Sequence, residues 1–530
     1  MKKKILSFIF AICLILPLGF VLCGCENSEP SDTNDNKNNY LVTYDYGSAK
    51  DLFKTTQENA IIQPSAWITT LPEIKDNYSE AFLGWYIVNT NIEIENYDFI
   101  GGNVTLEARF DIEEDVPSGL YQNGKYVKTW NELKEDNIIS CSNDTVTRVN
   151  YSEQLSGSLI IDNEVTTIND SVFYNFENLI DVKFPNSLLK IGENAFWGCS
   201  NLTNISVSSN IEFVGTDAFH GCGNLIYNEE NGIKYLGNNE NKYLILFDAE
   251  NATNLEINNQ TRIIYNHAFY QLENITDVVI PDSVIQIGEW AFAQCDYLED
   301  VTISKNVKYL TSRAFEDCGN LNSLIVDDEN EWFDSRDNCN AIIEASTNTL
   351  MIGCNNTVIP NGIVKIGAAF IGLNDLENIT IPSSVINISG SSFLGCRLKT
   401  IIVEAGNTKY DSRNNCNAII ETATNKLIVG CKETVIPETV SEIVSYAFAD
   451  VFDNIELIIP TSVTKLSTTS FYNCSGKLLY KGNEQGWNNI VEEYGPDFLG
   501  ITIHFYSEEE PTAGGNYWHY LADGITPAYW

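Results

Sequence analysis

Ten phenylalanines recur on a fixed period. Phe173, Phe196, Phe219, Phe269, Phe292, Phe315, Phe370, Phe393, Phe448 and Phe471 lie 23, 23, 50, 23, 23, 55, 23, 55 and 23 residues apart. Six equal intervals out of nine mark a solenoid of 23-residue coils, because only a repeated supersecondary unit holds its phase over that length of chain.

Each Phe sits in one frame, complete between Pro185 and Leu202: Pro185, Leu188, Ile191-Gly192, Ala195-Phe196, Cys199 and Leu202. Three residues after the Phe come Phe176, Cys199, Cys222, Leu272, Cys295, Cys318, Leu373, Cys396, Val451 and Cys474, small or apolar every time. A single coil has almost no interior, so these positions are buried only when coils stack on one another. The frame closes on Leu-x-x-Ile-x-Ile or a near version, as in Leu202 to Val207 and Leu298 to Ile303, where the alternation is that of a one-sided strand. That alternation points Asp181, Asn204, Asp277, Asp300, Ser323, Asn378, Thr400 and Glu456 outward. Two residues on, it does the same for Lys183, Ser206, Val279, Thr302, Ile325, Thr380, Ile402 and Ile458. Of these, Asp181, Asn204, Asp277, Asp300, Thr302, Ser323, Ile325, Asn378 and Thr380 are the expected ligand-binding residues of a broad strand face.

The frame, with Ile280-Pro281-Asp282-Ser283-Val284 and Ile287 to Cys295, resembles the BspA-like class of bacterial leucine-rich repeats over residues 158–475. The resemblance implies a mainly β fold with short helical or irregular turns. It also implies a role of that class: binding host matrix proteins, host cells or other bacteria.

Three intervals are too long for single coils, and residues 396–403 run one residue short before their strand. The segment from Asp334 through Cys339 to Glu344, followed by Leu350 to Cys354, returns 77 residues later as Asp411, Cys416, Glu421 and Leu427 to Cys431. Each copy reads as a hairpin, because apolar runs flank a short polar turn. If Ile343 faces Leu350, Cys339 lies opposite Cys354, and Cys416 opposite Cys431. These pairs are either disulfides or buried free thiols, since the Phe-x-x-Cys column already uses cysteine as a small hydrophobe.

The N-terminus reads as export machinery. Lys2, Lys3 and Lys4 precede an apolar run from Ile5 to Leu22, and Leu22-Cys23-Gly24-Cys25 resembles the bacterial lipobox. On that resemblance residues 1–24 are a lipoprotein signal peptide and Cys25 carries the lipid, which places the chain outside the cytoplasm, anchored to the bacterial membrane and exposed at the cell surface. Residues 25–39 hold no Val, Ile, Leu or aromatic residue and read as a disordered spacer. Residues 40–112 carry three alternating segments: Leu41 to Asp45, Phe82 to Tyr86 and Asn103 to Phe110. They resemble the Listeria-Bacteroides repeat, the internalin B-repeat, which implies a small ubiquitin-like β domain; Trp85 is its expected core. Residues 113–157 are a linker and N-terminal cap, and residues 476–530 a C-terminal cap with an aromatic tail.

Chemistry is sparse. The four histidines, His220, His267, His504 and His519, share no metal-ligand spacing. Gly119, Gly124 and Lys125 have P-loop spacing, but Tyr126 stands where Mg²⁺ binding needs Ser or Thr. Asp327 to Glu331 reads as a solvated loop. No cofactor, metal or catalytic group is expected. The formal net charge of −41, with 72 acids against 31 bases, repels nucleic acid. The expectation is a monomeric, lipid-anchored adhesion protein that grips a host or bacterial surface protein or glycan. The other class left open is an exported carbohydrate-binding or carbohydrate-active lipoprotein that uses the solenoid for targeting.

Overall fold

The computed structural model describes residues 40–54, 57, 59–62, 71–75, 81–88, 93–94, 104–110, 116–252, 255–450, 454–467, 469–491, 500–512 and 514–530. The leader, Cys25 and the spacer lie outside the described residues. The chain divides into two compact units, one made of residues 1–165, 175–185 and 199–204, the other of residues 166–174, 186–198 and 205–530.

In the first unit, the alternating segments form one sheet in the order Asn59–Ile62, Tyr40–Asp45, Val104–Phe110, Phe82–Ile87, Glu93–Ile94. Its central pair is parallel, with Val42 facing Val104, and the next is antiparallel, with Phe82 facing Phe110. Trp85 is 2 % exposed. Tyr44 and Tyr46 meet it edge-on at 5.2 and 5.1 Å, and its indole N–H donates to the Pro72 carbonyl at 3.2 Å. A tryptophan with its rings and its donor both satisfied is core rather than a ligand platform.

The stretch with P-loop spacing is a β-hairpin. Gln122 pairs with Lys125, and the two turn residues Asn123 and Gly124 have φ of 51° and 77°, the left-handed pair that a tight hairpin turn requires. Next comes the helix Trp130–Glu135, started by a capping box in which Thr129 accepts from the Glu132 N–H while the Glu132 carboxylate accepts from that of Thr129. The strand Gly119–Gln122 lies antiparallel on Gly157–Ile160, which pairs in parallel with Leu179–Lys183. An antiparallel hairpin thus covers the open edge of a parallel sheet, as a solenoid end needs.

In the second unit the phenylalanines form ladders. Phe173 stacks on Phe196 at 4.8 Å and Phe196 on Phe219 at 5.7 Å. Phe269 and Phe292 are 4.6 Å apart, and Phe292 and Phe315 5.1 Å. Phe370 lies 5.1 Å from Phe393, and Phe448 5.0 Å from Phe471. These spacings match the ~4.8 Å separation of neighbouring strands, so one ring per coil fills the interior without a gap. Where the next ring comes 23 residues on, the Phe N–H donates to the carbonyl of the residue before it, as from Phe269 to Ala291 and from Phe292 to Ala314, while the Phe219 N–H donates to the Tyr265 hydroxyl. The chain turns sharply on both sides of the ring: His267 and Gln271, or Trp290 and Gln294, have φ of 52° to 59°.

The Phe-x-x-Cys cysteines do more than fill space. Cys222, Cys295, Cys318, Cys396 and Cys474 each donate a thiol hydrogen bond of 2.8–3.1 Å to the carbonyl of the preceding coil's Phe. Burial pushes the Cys295 thiol up to about 12, and the Cys318 and Cys396 thiols in the same direction.

Each long interval holds an inserted hairpin, with second strands Ile245–Asp248, Thr349–Gly353 and Lys426–Gly430. At the end of each, a small residue takes the place of a phenylalanine in the hydrogen-bond ladder: Ala249 donates to Ala268, Gly353 to Ala369 and Gly430 to Ala447. The glycines are required there, since a Cβ on Gly353 or Gly430 would lie 2.2 Å from a ring carbon of Phe370 or Phe448.

The expected cysteine register is corrected by one residue. Ile343 does face Leu350, but the pairing then shifts so that Ile342 faces Ile352 and Ala341 faces Gly353, leaving Met351 as an extra residue. The copy repeats this, with Ile428 the extra residue. Continued along the strand, the shifted register sets Cys354 against Asn340, whose carbonyl its thiol meets at 3.2 Å, while the Cys339 thiol donates to the Ala341 carbonyl at 3.7 Å. Cys339, Cys354, Cys416 and Cys431 are all free in the structure.

Candidate interaction surface

The strand face is assembled from short parallel sheets. Asp277–Val279, Asp300–Ile303 and Ser323–Val326 pair so that Asp277, Asp300 and Ser323 form one row and Val279, Thr302 and Ile325 a second. Between these rows Val278, Val301 and Leu324 turn inward and are buried. Asn378–Ile381 and Thr400–Val403 continue the pattern, with Asn378 beside Thr400 and Thr380 beside Ile402. In the first unit Asp181 accepts from Ser158 at 2.7 Å and from the Asn204 amide at 2.7 Å. The nine expected surface residues all point away from the interior, exposed or half-buried.

The second row carries the informative chemistry. Val279 is 71 % exposed, Ile325 50 % and Ile402 49 %. Two further members escaped the sequence reading. Val358 and Val435, each 72 % exposed, stand between inward neighbours that are 6–8 % exposed, Thr357 and Ile359 in one coil and Thr434 and Ile436 in the other. A signal was present, because Val358-Ile359-Pro360 and Val435-Ile436-Pro437 repeat Val279-Ile280-Pro281. Both lie in hairpin-bearing coils where the Leu-x-x-Ile lead-in is lost. From Val279 onward the column reads Val279, Thr302, Ile325, Val358, Thr380, Ile402, Val435 and Ile458, β-branched at each of these positions, with Lys183 and Ser206 before it. Beside it, Asp277 and Asp300 sit in register, and among the described residues neither has a basic partner within ion-pair distance. Like charges directly opposite cost stability, so this acidic pair is kept at a cost.

His504 follows Ile458 and Leu479 in one register row and meets the Tyr529 ring at 5.0 Å, whereas His220 belongs to another row. His220 closes an outer stack of Tyr174, Trp197 and His220 with spacings of 4.7 and 5.7 Å, so the position after the Phe is an aromatic column in these coils. Cys222, two residues on, spends its thiol on the Phe196 carbonyl. Asp327 caps its own turn by accepting from the Glu329 N–H at 2.8 Å, and Glu329 pairs with Lys305 at 3.0 Å. Among the described residues no group of three or more His, Cys, Asp or Glu is arranged to hold a metal ion.

A stack of short coils with an inner ring ladder and an outward strand face defines a leucine-rich repeat solenoid. The BspA type leucine rich repeat region, in six copies, matches residues 148–240, 245–336 and 342–477, more than half of the chain. The chain belongs to the BspA-type leucine-rich repeat family. No curated protein matches it. Among solved structures, it is similar to a leucine rich cell surface protein from Faecalibacterium prausnitzii, at 22 % identity over 67 % of this chain and 96 % of that one, TM-score 0.35. A leucine-rich repeat protein from Eubacterium ventriosum matches at 15 % identity over 70 % and 92 %, TM-score 0.32. The pneumococcal vaccine antigen PcpA matches at 14 % over 70 % and 93 %, TM-score 0.20.

Proposed function

We propose that this chain is a non-enzymatic, monomeric binding protein displayed on a bacterial surface, lipid-anchored through Cys25, with residues 40–112 as spacer and the strand face as the grip on a host or bacterial protein or glycan. The supporting observation is the β-branched column. Exposed apolar side chains that recur at one outward position of successive coils favour an interaction site there. A fixed sheet also brings its contacts pre-ordered, so little side-chain entropy is lost when a partner lands.

The test is a matrix-protein pull-down and a glycan array on residues 26–530, comparing wild type with a variant carrying Asp277→Ala, Asp300→Ala and Ile325→Ala together. The expected result is loss of the captured partner in the variant. Unchanged capture would clear the strand face of the role, and hydrolase activity in the purified chain would favour an enzyme. For the anchor, an alkyne fatty acid fed to expressing cells should label the chain, and Cys25→Ser should abolish that label. Labelling that survives the substitution would remove Cys25 as the lipidated residue.

A further inference from the structure

The 77-residue duplication supplies an internal comparison on the other sheet, the one built from the two-residue strands and the hairpins. In the second copy Glu421, Lys426, Glu442 and Lys465 face one another in register across four adjacent strands. They form a closed ladder of alternating charge. Lys409 pairs with Glu421 at 2.6 Å, Lys426 with Glu442 at 2.9 Å and Lys465 with Glu442 at 3.4 Å. Burial raises the Glu442 carboxyl, and Lys426 and Lys465 outweigh it to hold the group below its ordinary range.

In the first copy the same row reads Glu344, Thr349, Lys365, Asn387. Trp332 occupies the place of Lys409. Glu344 has therefore lost both lysines and keeps, among the described residues, only a hydrogen bond from the Thr347 hydroxyl. Lys365 has no carboxylate within ion-pair distance among the described residues, in a chain with 72 acids. Over this row lies a groove of about 590 Å³, lined by Glu344, Thr349 and Lys365 together with Met351, Val364 and Ile386. Val364 and Ile386 are 37 % and 51 % exposed, so the aliphatic wall is open to an occupant. That volume falls in the ~300–1,000 Å³ range of small-molecule sites.

The spacing defines the ligand. Glu344 and Lys365 are two strands apart, roughly 10 Å between backbones, with Thr349 between them. Both side chains rise from the same face of the sheet, which keeps their charges about as far apart as the backbones; an ammonium ~3 Å from the Glu344 carboxylate and a carboxylate ~3 Å from the Lys365 ammonium then leave about 3–4 Å between the two charges of the occupant. That is the internal separation of an α-amino acid. We propose that this groove binds a free α-amino acid with an aliphatic side chain: ammonium on Glu344, carboxylate on Lys365, side chain against Val364, Ile386 and Met351. The bound zwitterion would restore the alternation that Lys426 and Glu442 build covalently in the second copy.

The experiment is calorimetric and NMR titration of the purified chain with L-leucine, beside N-acetyl-leucine, which lacks the ammonium, and leucinamide, which lacks the carboxylate. Leucine is expected to bind saturably with a dissociation constant of about a millimolar, and each analogue at least tenfold more weakly. Thr349→Lys, Lys365→Glu and Asn387→Lys together copy the closed ladder into the first site and should abolish binding, with the thermal melt showing that the chain still folds. Should that variant misfold, Lys365→Met alone is expected to weaken leucine at least tenfold. No saturable binding up to about 100 mM leucine, binding of either analogue as tight as that of leucine, or unchanged binding in the folded variant would each overturn the proposal. Because the groove and the strand face lie on different sheets, either can fail without the other.

Discussion

Phe292 is the residue on which the packing argument is most exposed. It is fully buried, and it is stacked on both sides, by Phe269 at 4.6 Å and by Phe315 at 5.1 Å, each 8° from parallel. Phe292→Ala removes a buried ring at a cost of about 3–5 kcal/mol, transfer and cavity terms together. Because each coil touches only its neighbours, the loss falls on the two interfaces that join three coils, and several coils should unravel together. His220→Ala is the control: that ring is exposed and rests only on Trp197 at 5.7 Å, a contact worth at most about 1 kcal/mol. With a urea slope of about 3 kcal/mol/M, Phe292→Ala should lower the unfolding midpoint by more than 1 M, and His220→Ala by less than about 0.3 M. Phe315, stacked on Phe292 alone among the described rings, should fall short of Phe292 by about one stacking pair, roughly 1 kcal/mol. Urea unfolding followed by tryptophan fluorescence and far-ultraviolet circular dichroism reads all three. Equal shifts for Phe292→Ala and His220→Ala would show that inside and outside have been assigned wrongly.

Gly353→Ala and Gly430→Ala should each destabilise by about 1–3 kcal/mol, because the new methyl meets a phenyl ring whose own coil fixes it; urea midpoints check this, and a neutral result would refute the close packing. Thiol labelling at pH 8 should reach Cys141 first. It is the one cysteine among the described residues that is not buried, whereas Cys295 and Cys339 are pushed up to about 12 and about 11. Cys295→Ala should cost about 1–3 kcal/mol, leaving the Phe269 carbonyl with only the long Leu272 N–H bond at 3.4 Å, and Cys295→Ser should recover part of it. Glu421, held low mainly by the Lys409 hydrogen bond, and Glu442 both have folded pKa values below their unfolded ones. Their stabilisation is present above the unfolded value of about 4.3 and lost as pH falls through the lower folded values. Between pH 5 and pH 3, hydrogen-exchange protection corrected for intrinsic rates should therefore drop more in Lys426–Gly430 than in Thr349–Gly353, where the ladder is missing. Equal losses in the two hairpins would contradict the ladder.

The period was readable because it lives in side chains that must be apolar: a Phe ring or a Leu at fixed phase leaves a trace in sequence even when every outer residue changes. Strand direction, the inward and outward sets, and the duplicated hairpins follow from that trace. The bulges at Met351 and Ile428 left none, since each is one apolar residue inside an apolar run, and a one-residue slip there moved Cys354 away from Cys339. The thiol bonds to Phe carbonyls were hidden for another reason, because composition reports that cysteine is small and not what its hydrogen points at. Val358 and Val435 were hidden because their coils lack the strand lead-in, whereas exposure is decided by the Val-Ile-Pro step that those coils keep.

The hairpin insertions connect these levels. A solenoid fixes the inner ladder tightly and the outer rows loosely, so an insertion is tolerated if one small residue stands in for the missing ring, as Ala249, Gly353 and Gly430 do. Once that condition is met, the inserted strands add outward positions that no core contact constrains. The two copies of the 77-residue segment show the consequence. Their inward residues, from Ala341-Ile342-Ile343 to Ala418-Ile419-Ile420, are unchanged, while the outward row has gone from a self-neutralised ladder to a split pair of charges or the reverse. Buried changes such as Phe333 to Tyr410 and Ile352 to Val429 keep the interior filled, whereas the change of charge falls on the outward row, which packing within the coil leaves free to vary.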